Sequence, residues 1–446
     1  MRRRTTPLIA GAALAVASLT AAGAAPATAA PTPLERQVLG DRDGWAAAGG
    51  GTTGGSAAAQ ENVFTVRTWQ EFRDALGGDA ARGEDEPRIV RVVGRIDANT
   101  GADGERLTCD DYAVDGYDLE RYLSAYDADG RPLGHDPADG EFVNPLEAAR
   151  AASQDAQEAQ VRQHVGSNVT IVGVGRDAQL VGAALTVRDS SNVIVRNLRL
   201  SDSYDCFPAW DPGDSGGNFN SEYDTLGIVG STNVWVDHAS FDDGENPPDS
   251  LPQYFGARYE VHDGSLDVTN ASDLVTVSWS TFTDHDKTML IGSSDSRTTD
   301  RGKLRVTLHH NVFERTKERT PRVRFGQVDV YNNVYRATDP DFFGYVWGAG
   351  VESQIIAEEN YLELADGIDP ADVVKGWGGT ALRAEGNLVN GRSKHHELDL
   401  VALHNAAAPG EFLEDAVDWT PRYRERVDPA QSLPSRVPRL AGSGNL

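Results

Sequence analysis

The chain has 446 residues, of which 68 are acidic and 41 are basic, so its formal charge at pH 7 is −27. A surface with this much negative charge repels a phosphate backbone, and we therefore expect no binding to nucleic acid. The length would allow about two or three ordinary domains, but the repeat described below predicts one elongated domain instead.

The chain begins with a pattern typical of a secretory signal peptide. Three arginines at positions 2–4 form a charged start, a run of small apolar residues follows, and Ala-Thr-Ala at 27–29 matches an A-x-A cleavage site. No later segment is apolar over the ~18 residues that a membrane span needs. We therefore predict that residues 1–29 are removed, that the protein is secreted and extracellular, and that it does not bind a membrane.

Two further features are a pair of cysteines and a segment that is predicted to be helical. Cys109 and Cys206 are the two cysteines of the chain. Export permits oxidation, so a single disulfide between them is the expected arrangement, whereas two lone cysteines so far apart make a poor metal site. The segment from Asn144 to Val165 is rich in helix formers and is predicted to be one helix.

A strand-like pattern then recurs along the rest of the chain. Each copy has an aliphatic residue, usually a second one two positions later, and an aromatic or aliphatic residue seven positions after the first. Alternation with a period of two indicates strands rather than helices. The copies are "VIVRNLRL" from Val193, "VWVDHASF" from Val234, "VTVSWSTF" from Val275, "VTLHHNVF" from Val306, "VDVYNNVY" from Val328, "IIAEENYL" from Ile355 and "LRAEGNLV" from Leu382.

The spacing of these copies predicts a parallel β-helix. Successive copies start 41, 41, 31, 22, 27 and 27 residues apart, which suits a coil of about 22 residues lengthened by variable loops. Asparagine recurs at the sixth position of the last four copies, where side chains in successive coils would bond one another at a bend. An antiparallel sandwich does not explain this asparagine register. The four residues are Asn311, Asn333, Asn360 and Asn387.

Measured from the first residue of each copy, charged side chains fall on one wall of the predicted helix. Asp224 lies ten residues before Val234, Asp267 lies eight before Val275, and Arg319 lies nine before Val328. Coils stack ~4.8 Å apart, so we expect these acidic and basic groups to face a common groove in adjacent layers.

Two aspartates in "VHDGSLDVT" suggest a cation site, although the spacing alone leaves an ordinary acidic turn equally open. Asp263 and Asp267 would be ~13 Å apart on a straight strand, so they share an ion only if the chain turns at Asp263-Gly264. Carboxylate ligands favour a hard cation, and calcium is the natural extracellular choice. Lys287 taken alone is as well explained as a surface lysine paired with a neighbouring aspartate.

Positive charge is concentrated in one short segment of this acidic chain. Between Lys317 and Arg324, "KERTPRVR" contains three arginines and one lysine. A local reversal of sign predicts a polyanionic ligand, bound partly by these cations and partly through a bridging metal ion.

Four stretches together resemble the pectate lyases of the right-handed parallel β-helix type, known as polysaccharide lyase family 1. They are "NVWVDHASF", "HDGSLDVTNASDLVTVSW", "DHDKTMLIGSSD" and "RTPRVRFGQVDVYNNVY", and the likeness runs from about Leu39 to Leu446. The resemblance implies an all-β protein: a right-handed parallel β-helix with long loops and a few short helices. It makes residues 30–446 a single catalytic domain, with a partly helical insertion at about 107–165 that is similar to only one branch of the family.

The resemblance also implies a function and the residues that perform it. The activity would be calcium-dependent β-elimination of α-1,4-linked galacturonan, with the polygalacturonate chain as substrate and a monomeric enzyme. Arg319 matches the catalytic arginine, and Lys287 and Arg324 match residues that bind the substrate carboxylate. Arg322 is not a catalytic position in the family and is expected to be structural or to lie at the rim of the site. The calcium ligands would be Asp224, Asp263 and Asp267, and Glu222 matches a position where a further acid often assists.

Two other functions remain open from the sequence. A pectin lyase would share the fold and act on methyl-esterified chains without this calcium site, so the three aspartates argue against it. A non-catalytic, calcium-dependent pectate-binding β-helix would keep the aspartates but would not need Arg319. We expect Trp210, Trp347 and Trp377 to pack in the core rather than to contact sugar.

Overall fold

Short parallel strands recur along the chain, and each pairs with the equivalent strand one coil later. The computed structural model describes residues 32–135, 142–214, 216–424 and 426–446, together with residues 1 and 5. The predicted signal peptide, apart from residues 1 and 5, lies outside the described residues. Leu34–Leu446 forms one compact unit, and Met1–Pro33 is grouped as a separate unit.

Three walls of strands build the coil. In the described part of the chain, a 17-stranded sheet forms the first and second walls, and an 8-stranded sheet forms the third. The first wall consists of β1 (Val63–Val66), β2 (Arg88–Asp97), β4 (Val169–Val181), β6 (Ser191–Arg196), β11 (Thr232–Asp237), β16 (Asp273–Ser278), β19 (Val306–His309), β22 (Gln327–Tyr331), β25 (Gln354–Glu358) and β28 (Leu382–Glu385). The second consists of β7 (Arg199–Ser201), β12 (Ser240–Asp242), β17 (Thr281–Lys287), β20 (Val312–Glu318), β23 (Val334–Ala337), β26 (Tyr361–Leu364) and β29 (Leu388–Val389). The third consists of β3 (Arg162–Val165), β5 (Ala184–Arg188), β10 (Leu226–Val229), β15 (Leu266–Thr269), β18 (Leu290–Ile291), β21 (Arg322–Val323), β24 (Trp347–Gly350) and β27 (Val374–Trp377).

The register of the first wall confirms the repeat found in the sequence. The first residues of the seven copies are direct partners from one coil to the next, from Val193 through Val234 and Val275 to Leu382. All of these pairings are parallel, so the chain is a parallel β-helix. Equivalent side chains therefore stack in ladders along its length.

Two ladders fill the interior. At the seventh position after the start of each copy, Phe241, Phe282, Phe313 and Tyr335 stack with ring centroids 4.8, 5.0 and 5.0 Å apart and planes within 8° of parallel. All four rings are buried. Burial of large aromatic surface contributes much of the free energy that holds the coils in register.

The predicted asparagine ladder forms as well. The Oδ1 of Asn333 accepts from the backbone N–H and the Nδ2 of Asn311, both at 3.0 Å, while Asn333 Nδ2 donates to the carbonyl of Leu308 at 2.9 Å. Asn360 and Asn387 repeat the arrangement in the next coils. Each asparagine thus satisfies buried backbone groups at the bend between two walls.

Helices and hairpins lie outside the coil. The predicted helix is present, but it ends at Val161 rather than Val165, because residues 162–165 pair with β5 as strand β3 and this pairing overrides helix propensity.

The expected disulfide is formed: Cys109 and Cys206 are joined with a Cα–Cα distance of 5.4 Å. The helices are α1 (Trp69–Leu76), α2 (Cys109–Tyr112), α3 (Leu119–Leu123), α4 (Glu147–Val161), α5 (Leu400–Ala407) and α6 (Leu433–Leu440), and the antiparallel hairpins are β8 (Ala209–Asp211) with β9 (Asn218–Asn220) and β13 (Gln253–Tyr254) with β14 (Ala257–Arg258). Short 3-10 helices span Leu34–Arg36, Trp45–Gly50, Gln60–Asn62, Gly78–Ala81, Pro248–Ser250, Thr298–Asp300, Pro370–Val373, Lys394–His396, Pro409–Glu411 and Ala430–Ser432.

None of the helices in the described residues is both long enough and apolar enough to cross a membrane.

Replacing Asn333 with alanine tests the asparagine ladder. The change removes the acceptor for Asn311 and the donor for the Leu308 carbonyl, both buried, so we expect the free energy of unfolding to fall by about 3 kcal/mol. Chemical denaturation of the variant and the parent measures the difference. Asn62→Ala, at a partly exposed position, is the control and should change little; an Asn333→Ala midpoint equal to that of the parent would contradict the role of the ladder.

Candidate active site

Two predicted metal ligands, Asp224 and Asp267, meet where adjacent strands of the third wall begin. Asp224 lies two residues before β10, and Asp267 lies in β15 opposite Gly227 of β10. Asp224 Oδ1 accepts from the N–H of Gly264 at 3.0 Å, and Asp267 Oδ1 accepts from the N–H of Leu290 at 2.8 Å. A Cβ added to Gly264 would lie 2.4 Å from Asp267 Oδ1 and 2.8 Å from Asp224 Oδ1, so both carboxylates border the same glycine.

Asp263 joins them from the segment that leads into β15. Because β15 begins only at Leu266, the separation expected for a straight strand does not apply to Asp263 and Asp267. The Asp263 carboxylate lies 3.5 Å from Lys287 Nζ, and its carbonyl accepts from His285 Nε2 at 2.8 Å.

Crowding changes the ionisation of these carboxyl groups. Burial, together with the charges of Asp267 and Asp263, raises the pKa of Asp224 well above its ordinary value. Burial and the charge of Asp263 raise the pKa of Asp267 to about 7, and the hydrogen bond from Leu290 offsets only part of this. The repulsion among three partly desolvated carboxylates is therefore relieved either when protons bind to them or when a cation does.

The donor atoms of the three aspartates are of the chemical type that binds calcium. All the side-chain donors are carboxylate oxygens, which calcium prefers, and two of them belong to groups whose charge is not compensated. In the described residues, however, no group of three or more His, Cys, Asp or Glu side chains is already arranged to hold a metal. Glu222, the further acid expected to assist, has an exposed side chain, and its backbone N–H donates to Asp205 Oδ2.

Arg319 and Lys287 lie further along the same side of the coil. Arg319 follows β20 in a left-handed conformation (φ 60°), and its Nε donates to Glu318 Oε1 at 3.0 Å. Burial disfavours the charged guanidinium, but Glu318 and Asp267 outweigh it and raise the pKa of Arg319 above its ordinary value. The coil that carries β18 lies between β15 and β21, so Arg319 is not in the layer adjacent to Asp267 as the sequence suggested. The copy from Val306 lies between those from Val275 and Val328, and it corresponds to this intervening coil.

A polar cavity of about 550 Å³ opens beside these side chains. Its floor comes from the coil, through Lys287 and Arg319, and its sides come from the β8–β9 and β13–β14 hairpins and from β27. The remaining lining residues are Asp214, Asn218, Phe219, Asn220, Gln253, Arg258, Glu260, Asp286, Lys317, Glu318, Arg322 and Trp377.

Arg324, predicted to bind substrate, is engaged elsewhere in the structure. Its Nη1 donates to the carbonyl of Gly292 at 2.8 Å and its Nε donates to Asp295, and it is not among the described residues that line the cavity.

The prediction that three tryptophans pack in the core is wrong for one of them, Trp377. Trp210 and Trp347 are buried as expected, but Trp377 is 38% exposed and lines the cavity.

Sequence reasoning also missed a buried histidine–aspartate network behind Asp263. His285 Nδ1 contacts Asp243 Oδ1 at 2.6 Å, and His262 Nε2 contacts Asp202 Oδ1 at 3.1 Å. Burial would lower the pKa of His285, but Asp243 raises it to about 9, so its ring is positively charged beside the Asp263 carbonyl. The one available signal was the position of His285 in "DHDK", two residues before Lys287.

Comparison with known proteins gives a consistent result. A family model described as pectate lyase matches residues 5–121 and 142–411. The pectate lyase of Bacillus subtilis (strain 168) is 40% identical over 429 residues, which cover 95% of this chain and 97% of that protein. A pectate lyase solved for its substrate specificity and anti β-elimination mechanism superposes with a TM-score of 0.84, and a pectate lyase bound to a hexasaccharide with a TM-score of 0.85. Both are 39% identical and cover 93% of this chain and 100% of their own. These likenesses confirm the right-handed parallel β-helix as the fold class.

The raised pKa of Asp267 predicts a pH-dependent stability in the absence of divalent cations. A carboxyl group with a raised pKa binds its proton more tightly in the folded than in the unfolded state, so stability falls as pH rises from about 4 through about 7. We expect the melting temperature in EDTA to fall between about pH 4 and pH 7, and to fall less for Asp267→Asn. Asp177→Asn, at an exposed position, serves as the control. Equal pH dependence in all three proteins would contradict the buried, uncompensated charge.

Proposed function

Because the chain belongs to the pectate lyase family, we propose that it is a secreted enzyme that cleaves α-1,4-linked galacturonan by calcium-dependent β-elimination. Family membership makes it a lyase acting on a polysaccharide. The proposal adds the calcium requirement, the export and the residue roles. The observation that carries it is the meeting of Asp224, Asp263 and Asp267 on the side of the coil where Lys287 and Arg319 line a polar cavity.

The substrate explains why a site of mixed charge is needed. Each sugar of polygalacturonate carries a carboxylate, and β-elimination removes the proton at C5, next to that carboxylate, while the oxygen at C4 departs. The product has a double bond between C4 and C5 of the new non-reducing end. Removing a proton beside a negative charge is unfavourable unless nearby positive charge stabilises the carbanion as it forms.

Lys287 supplies fixed positive charge to the reacting sugar. Its ammonium group lines the cavity and contacts Asp263, so a substrate carboxylate bound there would lie next to the three aspartates. Calcium held by Asp224, Asp263 and Asp267 would neutralise the same carboxylate as a Lewis acid. Arg324 would reach the substrate only by exchanging Asp295, whose side chain is 59% exposed.

Arg319 is the proposed proton acceptor at C5. It lines the cavity and lies within electrostatic range of Asp267 and Asp263. In the cation-free protein those carboxylates and Glu318 raise its pKa, which opposes proton acceptance. Arg319 can therefore act only when this negative charge is neutralised, and the reaction should be favoured at alkaline pH.

Export is supported by two features of the chain. The first 29 residues have the charge, apolar run and cleavage site of a signal peptide. The Cys109–Cys206 disulfide tethers the segment before α4 to the coil, and such a bond persists in oxidising compartments outside the cytosol.

The metal requirement is tested by measuring formation of the unsaturated product with and without calcium. With polygalacturonate and calcium, absorbance from the unsaturated product should rise, and EDTA should abolish the rise until calcium is restored. Asp224→Asn should lower the rate at limiting calcium far more than at saturating calcium, because it removes one ligand. Turnover of methyl-esterified pectin that persists in EDTA would instead identify a pectin lyase, and binding without product would identify a non-catalytic protein.

Arg319→Lys tests the proton acceptor. Lysine keeps the positive charge but not the position of the guanidinium, so we expect kcat to fall by about 10²-fold or more with little change in KM. In the parent enzyme kcat should rise toward alkaline pH. Near-parental activity of Arg319→Lys would remove Arg319 from this role.

A further inference from the structure

Arg322 and Trp377 both line the cavity and contact each other, and they lie in coils further along the chain than those of the aspartates. Arg322 lies in β21 and Trp377 ends β27, two coils later, yet the Arg322 guanidinium lies 4.3 Å from the centroid of the Trp377 ring. Between them, Gly348 of β24 is the register partner of Arg322. A Cβ at Gly348 would lie 3.2 Å from Arg322 Cγ, so the glycine leaves space for the arginine to cross the coil.

The charge of Arg322 has no carboxylate partner in the described residues. Its Nε is buried without a hydrogen-bond partner, and no described carboxylate lies within salt-bridge distance of its guanidinium. The other cations that line the cavity are each paired: Arg258 and Lys317 with Asp286, Lys287 with Asp263, and Arg319 with Glu318.

An unpaired cation is unexpected in a chain with 68 acidic residues. Burial and the nearby charge of Arg324 lower the pKa of Arg322, which shows that its surroundings disfavour the charge. The contact with Trp377 attracts the charge of the guanidinium but leaves its N–H donors unused. A half-buried guanidinium of this kind is suited to an anion that arrives with the ligand.

Trp377 adds an apolar surface beside that charge. Its ring is 38% exposed inside a cavity whose other described lining is mostly polar or charged. The apolar face of a sugar ring can pack on exposed indole, while the sugar's carboxylate meets the adjacent guanidinium. Two coils span ~10 Å, so a sugar at Trp377 is a different residue of the polymer from the one that reacts at Arg319.

We propose that Arg322 and Trp377 form a distal subsite that binds a non-reacting galacturonate of the substrate chain. Arg322 holds the carboxylate of that sugar through two N–H donors, and Trp377 packs against its ring. The inference rests on the proposed function, because it requires that polygalacturonate occupy the cavity. It assigns to Arg322 a role in selecting long chains, where the sequence suggested a structural or peripheral residue.

The experiment compares oligogalacturonates of increasing length. For Arg322→Gln we expect kcat/KM to fall about 10-fold or more on long oligomers, mainly through KM, and to be unchanged on the shortest oligomer that the parent cleaves. Trp377→Ala should show the same length dependence, and Trp377→Phe should recover part of the loss. Arg301→Gln, which removes an exposed arginine paired with Glu352, is the matched control and should resemble the parent at every length.

Each other outcome overturns the subsite. An equal loss at all lengths would place Arg322 at the reacting sugar or in the fold, and no loss at any length would show that it binds no sugar. If Arg322→Gln does not fold, kcat/KM on long and short oligomers is compared for Arg322→Lys and Trp377→Ala instead. As a readout without turnover, Arg322→Gln in the Arg319→Lys background should weaken calorimetric binding of a long oligomer but not of a short one. Absence of unsaturated product from the parent would refute the proposed function instead.

Discussion

Repulsion among three carboxylates is the constraint on which the site depends. Stacked coils bring Asp224 and Asp267 to the same glycine, with Asp263 beside them, and burial prevents water from screening their charges. The protein therefore maintains an unfavourable arrangement of charge in the absence of a ligand. In the proposed function a divalent cation would relieve it, and the same cation would attract the carboxylate of the substrate. This would allow a chain with a net charge of −27 to bind a polyanion.

The coil must be rigid for this arrangement to persist. Parallel pairing, the aromatic stack from Phe241 to Tyr335 and the asparagine ladder all fix the height of one coil above the next. Because Asp224 belongs to a different coil from Asp263 and Asp267, any slip in register would separate it from them. The charged histidine His285 adds a local support, since it bonds the Asp263 carbonyl from one side and Asp243 from the other. The free energy gained by packing the interior thus offsets the cost of crowding charge at its surface.

Much of this architecture could be predicted from the sequence, because period-two alternation and a recurring asparagine depend only on local pattern. The first-wall register was correct residue by residue, from Val193 to Leu382. The placement of Asp224 and Asp267 in adjacent coils followed from that register. Arg319 was placed one layer too close to Asp267, although the copy from Val306 already indicated a coil between those that carry the two residues.

Other features depend on contacts between segments far apart in the chain. The hairpins that form the sides of the cavity come from loops without a repeat, so no sequence pattern predicted them. Trp377 was expected to pack in the core, yet it ends β27 and lines the cavity. Whether an arginine is paired also depends on its neighbours in space: Arg324 meets Asp295, and Arg322 meets no described carboxylate.

The most direct test of the central claim is a crystal structure of the Arg319→Lys variant grown with calcium and a galacturonate oligomer. Anomalous density for one ion bound by Asp224, Asp263 and Asp267, with a sugar carboxylate as a further ligand, is the predicted result. An ion bound elsewhere while the three aspartates remain protonated or bound to water, or a sugar chain that avoids this side of the coil, would contradict it.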